Sequence, residues 1–326
     1  MPEGLDEFAT KYKVHSESLA YLEIQQAGGT DITDDSIPLD DRRRKAAESS
    51  SKLINDADEF AGTVKEFRVP SAALPDGIPI DVIKPRNCNT NPIILVYFNG
   101  GGMVFGSKES DRPICQVLAR DIPCVVVNVE YRLAPENKFP AAFEDGKNVL
   151  RWVMMNKALI GGTNDSKIGV VGCSAGGTIA ATLCHEVTKG IAFQVLVYPW
   201  LDLRCEQPSC TEFENGPILT VDILRWSVDK FVKTPEEVEN PRASPLLRES
   251  FTCLPPTLLL LAEFDPLRDQ AYDYKRKIKE AGIDAESLMI KGSLHGFFSK
   301  PGHFKDLGLK AREKMFAFIK KRVASS

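Results

Sequence analysis

Six uninterrupted apolar runs set the limits on what this chain can fold into: residues 92–98, 124–131, 167–172, 193–199, 256–264 and 286–292. Half-buried strands alternate apolar and polar residues. Runs of Val, Ile and Leu without alternation belong to strands covered on both faces, as in a parallel sheet. Segments of helical period separate them, at 112–121, 141–156, 175–187 and 270–282. Alternating strands and helices predict an α/β sheet joined by right-handed crossovers. Ahead of these, 64–70 and 77–85 do alternate and read as antiparallel strands.

Two segments break the rhythm. The first sixty residues are polar and helical, over 5–14 and 40–57, with a Gly/Asp/Thr break at 28–36 and Pro38 suited to a helix start. The basic run from Arg42 to Lys45 follows several aspartates and precedes Glu48, so it reads as a solvated helix face. Residues 201–252 then separate two strands by far more chain than a crossover needs. The expected organisation is N-terminal helices over 1–60, a first core part over 61–200, an insertion over 201–252 and a second core part over 253–326. The insertion and the N-terminal helices would cap the carboxyl edge of the sheet.

Lys plus Arg number 41 and Asp plus Glu 45, a net charge of −4. No basic excess is available for phosphates, which argues against nucleic acid as a partner. No apolar stretch reaches the ~18 residues of a membrane span, and the N-terminus lacks a cationic region followed by an apolar one. Eight cysteines include no C-x-x-C, and most are expected as free thiols, several of them buried, in a cytoplasmic protein. Pairing of two copies through an edge strand or the last helix is compatible with the sequence.

The strongest chemical signal is Gly172-Cys173-Ser174-Ala175-Gly176, set between a strand and a helix. In that setting the motif is a nucleophile elbow, whose small residues let a serine occupy a strained turn with its hydroxyl exposed. No Gly-Lys-Ser/Thr ending follows, which disfavours a phosphate loop. A serine hydroxyl needs a base and an orienting acid. Of four histidines, His15 lies in the N-terminal helices, His185 about 16 Å down the helix from Ser174, and His303 near the C-terminal helix. His295 sits in the loop after the last strand, where it can return to the sheet's carboxyl edge. Asp265 ends the penultimate strand, with Asp269 and Glu263 as displaced alternatives, and also suits a helix N-cap before Pro266. The order Ser174, Asp265, His295 matches an α/β-hydrolase triad. Developing charge on a carbonyl oxygen calls for preorganised N–H donors. Gly100, Gly101 and Gly102 follow the strand 92–98 and leave their amides unobstructed, and the amide of Ala175 would complete the set.

These segments resemble the hormone-sensitive-lipase branch of the α/β-hydrolases, a group that includes bacterial short-chain esterases, plant carboxylesterases and arylacetamide deacetylase. The likeness spans nearly the whole chain: residues 98–107, 129–146, 172–177, 262–269 and 294–298 resemble the family's oxyanion, intervening, nucleophile, acid and base segments. It implies an α/β-hydrolase fold with a helical cap and a carboxylesterase acting on short-to-medium acyl esters without metal or cofactor. Ser174 would be the nucleophile, His295 the base, Asp265 its orienter, and Gly100, Gly101 and Ala175 the oxyanion donors. The substrate wall would draw on Asn99, Gly102, Phe213, Trp226 and Phe231, although these aromatics suit a cap core equally well. The same machinery also serves amidases, deacetylases and lactonases. Gibberellin receptors use a similar scaffold without the base, which His295 argues against here.

Two positions depart from the family pattern: Asn99 stands where histidine is usual and Cys173 where aspartate is usual. Neither has to transfer a proton, and the amide of Asn99 can tether the loop. Asn99→His is therefore expected to leave turnover of simple esters within an order of magnitude. A gain of about a hundredfold, the size of one oxyanion donor, in steady-state kinetics would overturn this.

Overall fold

Every apolar run becomes a strand in the computed structural model, which describes residues 5–28, 31–51 and 60–324. The strands are β1 (Gly62–Val69), β2 (Ile78–Pro85), β3 (Ile94–Phe98), β4 (Val125–Val129), β5 (Ile168–Cys173), β6 (Ile191–Val197), β7 (Thr257–Phe264) and β8 (Ala285–Leu294). They form one eight-stranded sheet in the order β1-β2-β4-β3-β5-β6-β7-β8. β1 and β2 pair antiparallel, as does β2 with β4, and every later pairing is parallel. This is the expected α/β-hydrolase architecture.

The two faces of β3 show why its sequence lacks alternation. Ile94, Val96 and Phe98 enter one apolar core with the helices α5 (Ala141–Met155), α6 (Ala175–Glu186) and α9 (Arg268–Glu280). Leu95 and Tyr97 enter a second core with α4 (Lys108–Asp121) and α10 (Lys305–Ala324). With both faces covered, every β3 side chain is buried.

The N-terminal segment forms α1 (Leu5–Lys11), α2 (Ser16–Gly28) and α3 (Leu39–Ser51), while 52–57 of the expected third helix lies outside the described residues. α2 is anchored to the core: Ser18 Oγ donates to the Gly292 carbonyl at 2.7 Å, and the Glu17 carboxylate accepts the N–H groups of Asp306 and Leu307 at the start of α10. The basic run on α3 is only in part the solvated face its composition suggests: Arg44 and Lys45 are exposed, while Arg42 and Arg43 turn inward. Arg42 is 4% exposed and donates to Asp35 and the Ile32 carbonyl. Arg43 reaches the carbonyls of Val104 and Ala134 and both carboxylate oxygens of Glu136. Neighbouring aspartates balanced the charge in sequence, but carbonyls distant along the chain decide where these guanidinium groups go.

Residues 201–252 carry α7 (Pro208–Glu212), α8 (Val221–Phe231) and two short 3₁₀ turns between β6 and β7. Among the described residues no helix is long and apolar enough to cross a membrane.

The end of β4 holds a carboxyl that responds to neutral pH. Glu130 accepts the Lys108 N–H at the start of α4, near Lys108 Nζ, which pairs with Glu66, Asp81 and Glu109. Burial pushes the Glu130 carboxyl up from 4.5 to about 7. The folded chain therefore keeps a proton that the unfolded chain releases, and stability falls as pH rises through that interval. Glu130→Gln retains an acceptor without the charge. It is expected to match the wild type in urea unfolding at pH 5 and to exceed it at pH 8.

Candidate active site

Parallel strands place their carboxyl ends on one edge, and strand register decides which residues meet there. β3 pairs with β5 so that Phe98 faces Gly172, bringing the Asn99–Gly102 loop beside Cys173 and Ser174. A Cβ on Gly100 would lie 3.1 Å from that of Ser174. β7 pairs with β8 so that Phe264 faces Leu294, and the next residues, Asp265 and His295, are neighbours.

Ser174 occupies the turn between β5 and α6 with φ 54° and ψ −120°, a conformation costing of order 1–3 kcal/mol for a residue with a side chain. Its N–H donates to Val197 O at 2.9 Å, and its carbonyl accepts from Gly177, Thr178 and Trp200. The elbow is thus fixed from β6 and from α6. Its hydroxyl lies 3.0 Å from His295 Nε2, and His295 Nδ1 lies 2.7 Å from Asp265 Oδ2. Asp265 is wholly buried, and its other carboxylate oxygen accepts the Leu267 N–H at 2.9 Å. An acceptor on Nδ1 holds the proton there and leaves Nε2 free to take one from Ser174.

The other candidates are committed elsewhere. Glu263 pairs with Lys291 and accepts the Gly292 N–H, and Asp269 accepts from Ser209 N and Arg268. Burial beside Arg248 pushes His185 down to about 3, and its Nε2 meets the Tyr274 hydroxyl at 3.0 Å. His15 Nδ1 accepts the Glu17 N–H. His303 packs against Tyr21 and Phe304 in the turn before α10.

Gly101 adopts φ +122°, and a Cβ there would overlap the Phe105 carbonyl oxygen. Its own carbonyl accepts from Val104 and Phe105. The amide groups of Gly100, Gly101 and Ala175 meet no backbone acceptor among the described residues. Ala175 opens α6, where the helix dipole adds to the attraction for developing negative charge.

Three of the substrate-wall residues lie elsewhere. Asn99 is 2% exposed; its Nδ2 donates to the Gly100 carbonyl at 2.9 Å, while the Tyr131 hydroxyl donates to its backbone carbonyl. It tethers the loop from behind. Phe231 packs against Phe139 and Phe143, and Phe213 packs among Tyr12, Phe264 and Arg268. Apolar contact outcompetes exposure for both rings, so they form the joint between insertion and core. Trp226 is half-buried, 6.0 Å from Phe105 in the loop that follows β3, with Nε1 donating to Asp35. Gly102 abuts Ser227 of α8.

Two supports were invisible in sequence. The Tyr198 ring packs 4.7 Å from the His295 ring, and its hydroxyl accepts the Ser299 N–H, bracing the imidazole from the residue after β6. Beneath the elbow the Tyr97 hydroxyl donates to Asp111 at 2.7 Å and lies 3.3 Å from Cys173 Sγ. Burial pushes the Cys173 thiol far above its ordinary value, which leaves it protonated and inert. A tyrosine closing an apolar strand gives no signal of either contact.

The family model for the alpha/beta hydrolase fold matches residues 95–299. The ethyl acetate hydrolase of Pseudomonas putida is 33% identical over 85% of this chain and 90% of its own. An arylesterase of Saccharolobus solfataricus is 32% identical over 69% and 74%. The solved hyperthermophilic esterase of Pyrobaculum calidifontis superposes with a TM-score of 0.87 at 32% identity, covering 96% of this chain and 99% of that one. A strand-ordered α/β sheet with a serine elbow at its carboxyl edge defines the class of serine-dependent α/β-hydrolases. This chain belongs to the α/β-hydrolase-fold family, in its hormone-sensitive-lipase-like branch.

Gly101→Ala is expected to lower ester turnover at least about a hundredfold, as loss of an oxyanion donor does. Gly282→Ala, at φ +78° with nothing near its Cβ position, tests the same left-handed backbone away from the site. It is expected to retain full turnover in the same assay.

Proposed function

We propose that this carboxylesterase cleaves carboxylic esters through an acyl-enzyme on Ser174, and the contact of Ser174 Oγ with His295 Nε2 at 3.0 Å carries the reading. His295 removes the hydroxyl proton as Ser174 attacks the ester carbonyl. The amides of Gly100, Gly101 and Ala175 receive the oxyanion, worth ~3–4 kcal/mol per donor. His295 then passes its proton to the leaving alcohol, and water activated by the same imidazole releases the acid. Asp265 orients the ring and stabilises the imidazolium without taking the proton.

Residues 201–252 and the N-terminal helices act as the cap. In support, Asp35 receives Trp226 and Lys230 of α8 together with Arg42 of α3. Trp226 and Phe105 wall the approach beside Gly102, which suits acyl groups of short to medium length. Eight free thiols among the described residues suit a reducing cytoplasm.

Asp265→Asn leaves the geometry intact and is expected to lower kcat about 10⁴-fold. An organophosphonate is expected to label wild type at Ser174 and to leave Ser174→Ala unlabelled. A wild type that resists labelling would fit a receptor instead, and faster turnover of anilides than of matched esters would reassign the substrate class.

A further inference from the structure

The turn after β3 is held against its own backbone preferences. Gly102 and Met103 are both left-handed, at φ 62° and 66°. For Met103, which has a side chain, that conformation costs of order 1–3 kcal/mol and persists only where the surroundings fix it. Within the turn, the Gly101 carbonyl accepts the N–H groups of Val104 and Phe105. From outside, the Ala134 N–H donates to the Met103 carbonyl at 2.9 Å. One side chain of α3 bridges these two segments a second time. Arg43 Nε donates to the Val104 carbonyl at 2.9 Å, and its Nη2 donates to the Ala134 carbonyl at 2.7 Å. Val104 and Ala134 are buried, and leaving either carbonyl unpaired would cost about 1–3 kcal/mol. The guanidinium is itself oriented by Glu136, whose two carboxylate oxygens accept from Nη1 and Nη2 at 2.8 and 2.9 Å. Arg44, the next residue, is exposed and pairs with Asp41 and Glu48 of its own helix.

We propose that Arg43 is a positioning residue for ester cleavage: it clamps the turn of Gly101 and Val104 to the segment of Ala134 and so fixes the direction of the Gly101 amide. The clamp rests on the reading of Gly101 as an oxyanion donor, and it gives the N-terminal segment a part in the reaction besides covering the site. The Val104 N–H reaches back to the Gly101 carbonyl at 3.0 Å, so a displacement at the Val104 carbonyl passes through one hydrogen-bonded turn to Gly101. A rigid fork is needed because the acceptors on Val104, Ala134 and Glu136 lie in separate directions. Lysine offers a single charged centre on a flexible stem and cannot hold all three. An amide aimed at the oxyanion acts when charge develops on the carbonyl oxygen, so its loss of aim falls on the transition state and not on substrate binding. His295 and Asp265 are held from β7 and β8, and the clamp does not reach them.

Arg43→Lys tests the clamp, and the same change one residue on, Arg44→Lys, is its control. The active sites of each variant are counted by the phenol burst from an aryl ester, so that unfolded chains drop out of the comparison. Per site, Arg43→Lys is expected to lower kcat about ten- to a hundredfold, as misplaced catalytic geometry does, with KM changed by less than about twofold. Affinity for an aliphatic trifluoromethyl ketone, whose adduct with Ser174 carries the oxyanion, is expected to weaken by the same factor. The pH at which His295 titrates in kcat/KM is expected to stay at its wild-type value. Arg44→Lys is expected to match wild type throughout. Glu136→Gln keeps the arginine but loosens its fork, and is expected to give the Arg43→Lys pattern at a smaller factor, so the test does not depend on the folding of one variant. Wild-type kcat per site in both Arg43→Lys and Glu136→Gln overturns the clamp, as does a loss confined to KM or to the number of sites, and each leaves the acyl-enzyme reading standing. A wild type that shows no burst and binds no trifluoromethyl ketone overturns that reading first, and the clamp with it.

Discussion

A carboxylate with no exposed surface is the constraint around which this molecule is arranged. An isolated buried carboxylate costs several kcal/mol, so Asp265 needs hydrogen-bond donors within reach. It has two: the Leu267 N–H on one oxygen and His295 Nδ1 on the other. Both follow from local chain behaviour. Asp265 begins the turn into α9, and the Phe264–Leu294 register delivers His295 from the adjoining strand. The imidazole is then packed from the side by Tyr198.

Ser174 is held by a different device. Strain at Ser174 persists because β6, α6 and the chain after β6 all bond to its backbone. The Asn99–Gly102 loop is positioned from β3, and the buried amide of Asn99 closes it from behind. The network of Tyr97, Asp111 and Cys173 fills the space below. A neutral thiol completes that packing where the family usually has a carboxylate, and the Asp111 carboxyl on α4 lies two hydrogen bonds along.

Much of this was legible in sequence because periodicity encodes burial. Unbroken apolar runs gave the strands, and their order put Ser174, Asp265 and His295 at strand ends. The aromatic residues of the insertion were not legible, since amphipathic spacing marks a buried face without saying what covers it. Phe231 meets Phe139 and Phe143, and Phe213 meets Tyr12, partners set by tertiary packing alone. The arginines of α3 misled for the same reason: composition balanced Arg42 against nearby aspartates, while its position under Trp226 depends on the approach of α8. Tyr198 carried no signal because its role comes from the neighbouring strands.

The central claim is that ester cleavage passes through a bond between substrate acyl carbon and the hydroxyl at position 174. Its most direct test is rapid quenching of enzyme mixed with a slowly deacylating aryl ester, followed by intact mass and peptide mapping. The account predicts one acyl group per chain, on Ser174, formed at the rate of the initial phenol burst. Turnover without any acylated chain, or with the acyl group on another residue, would contradict it.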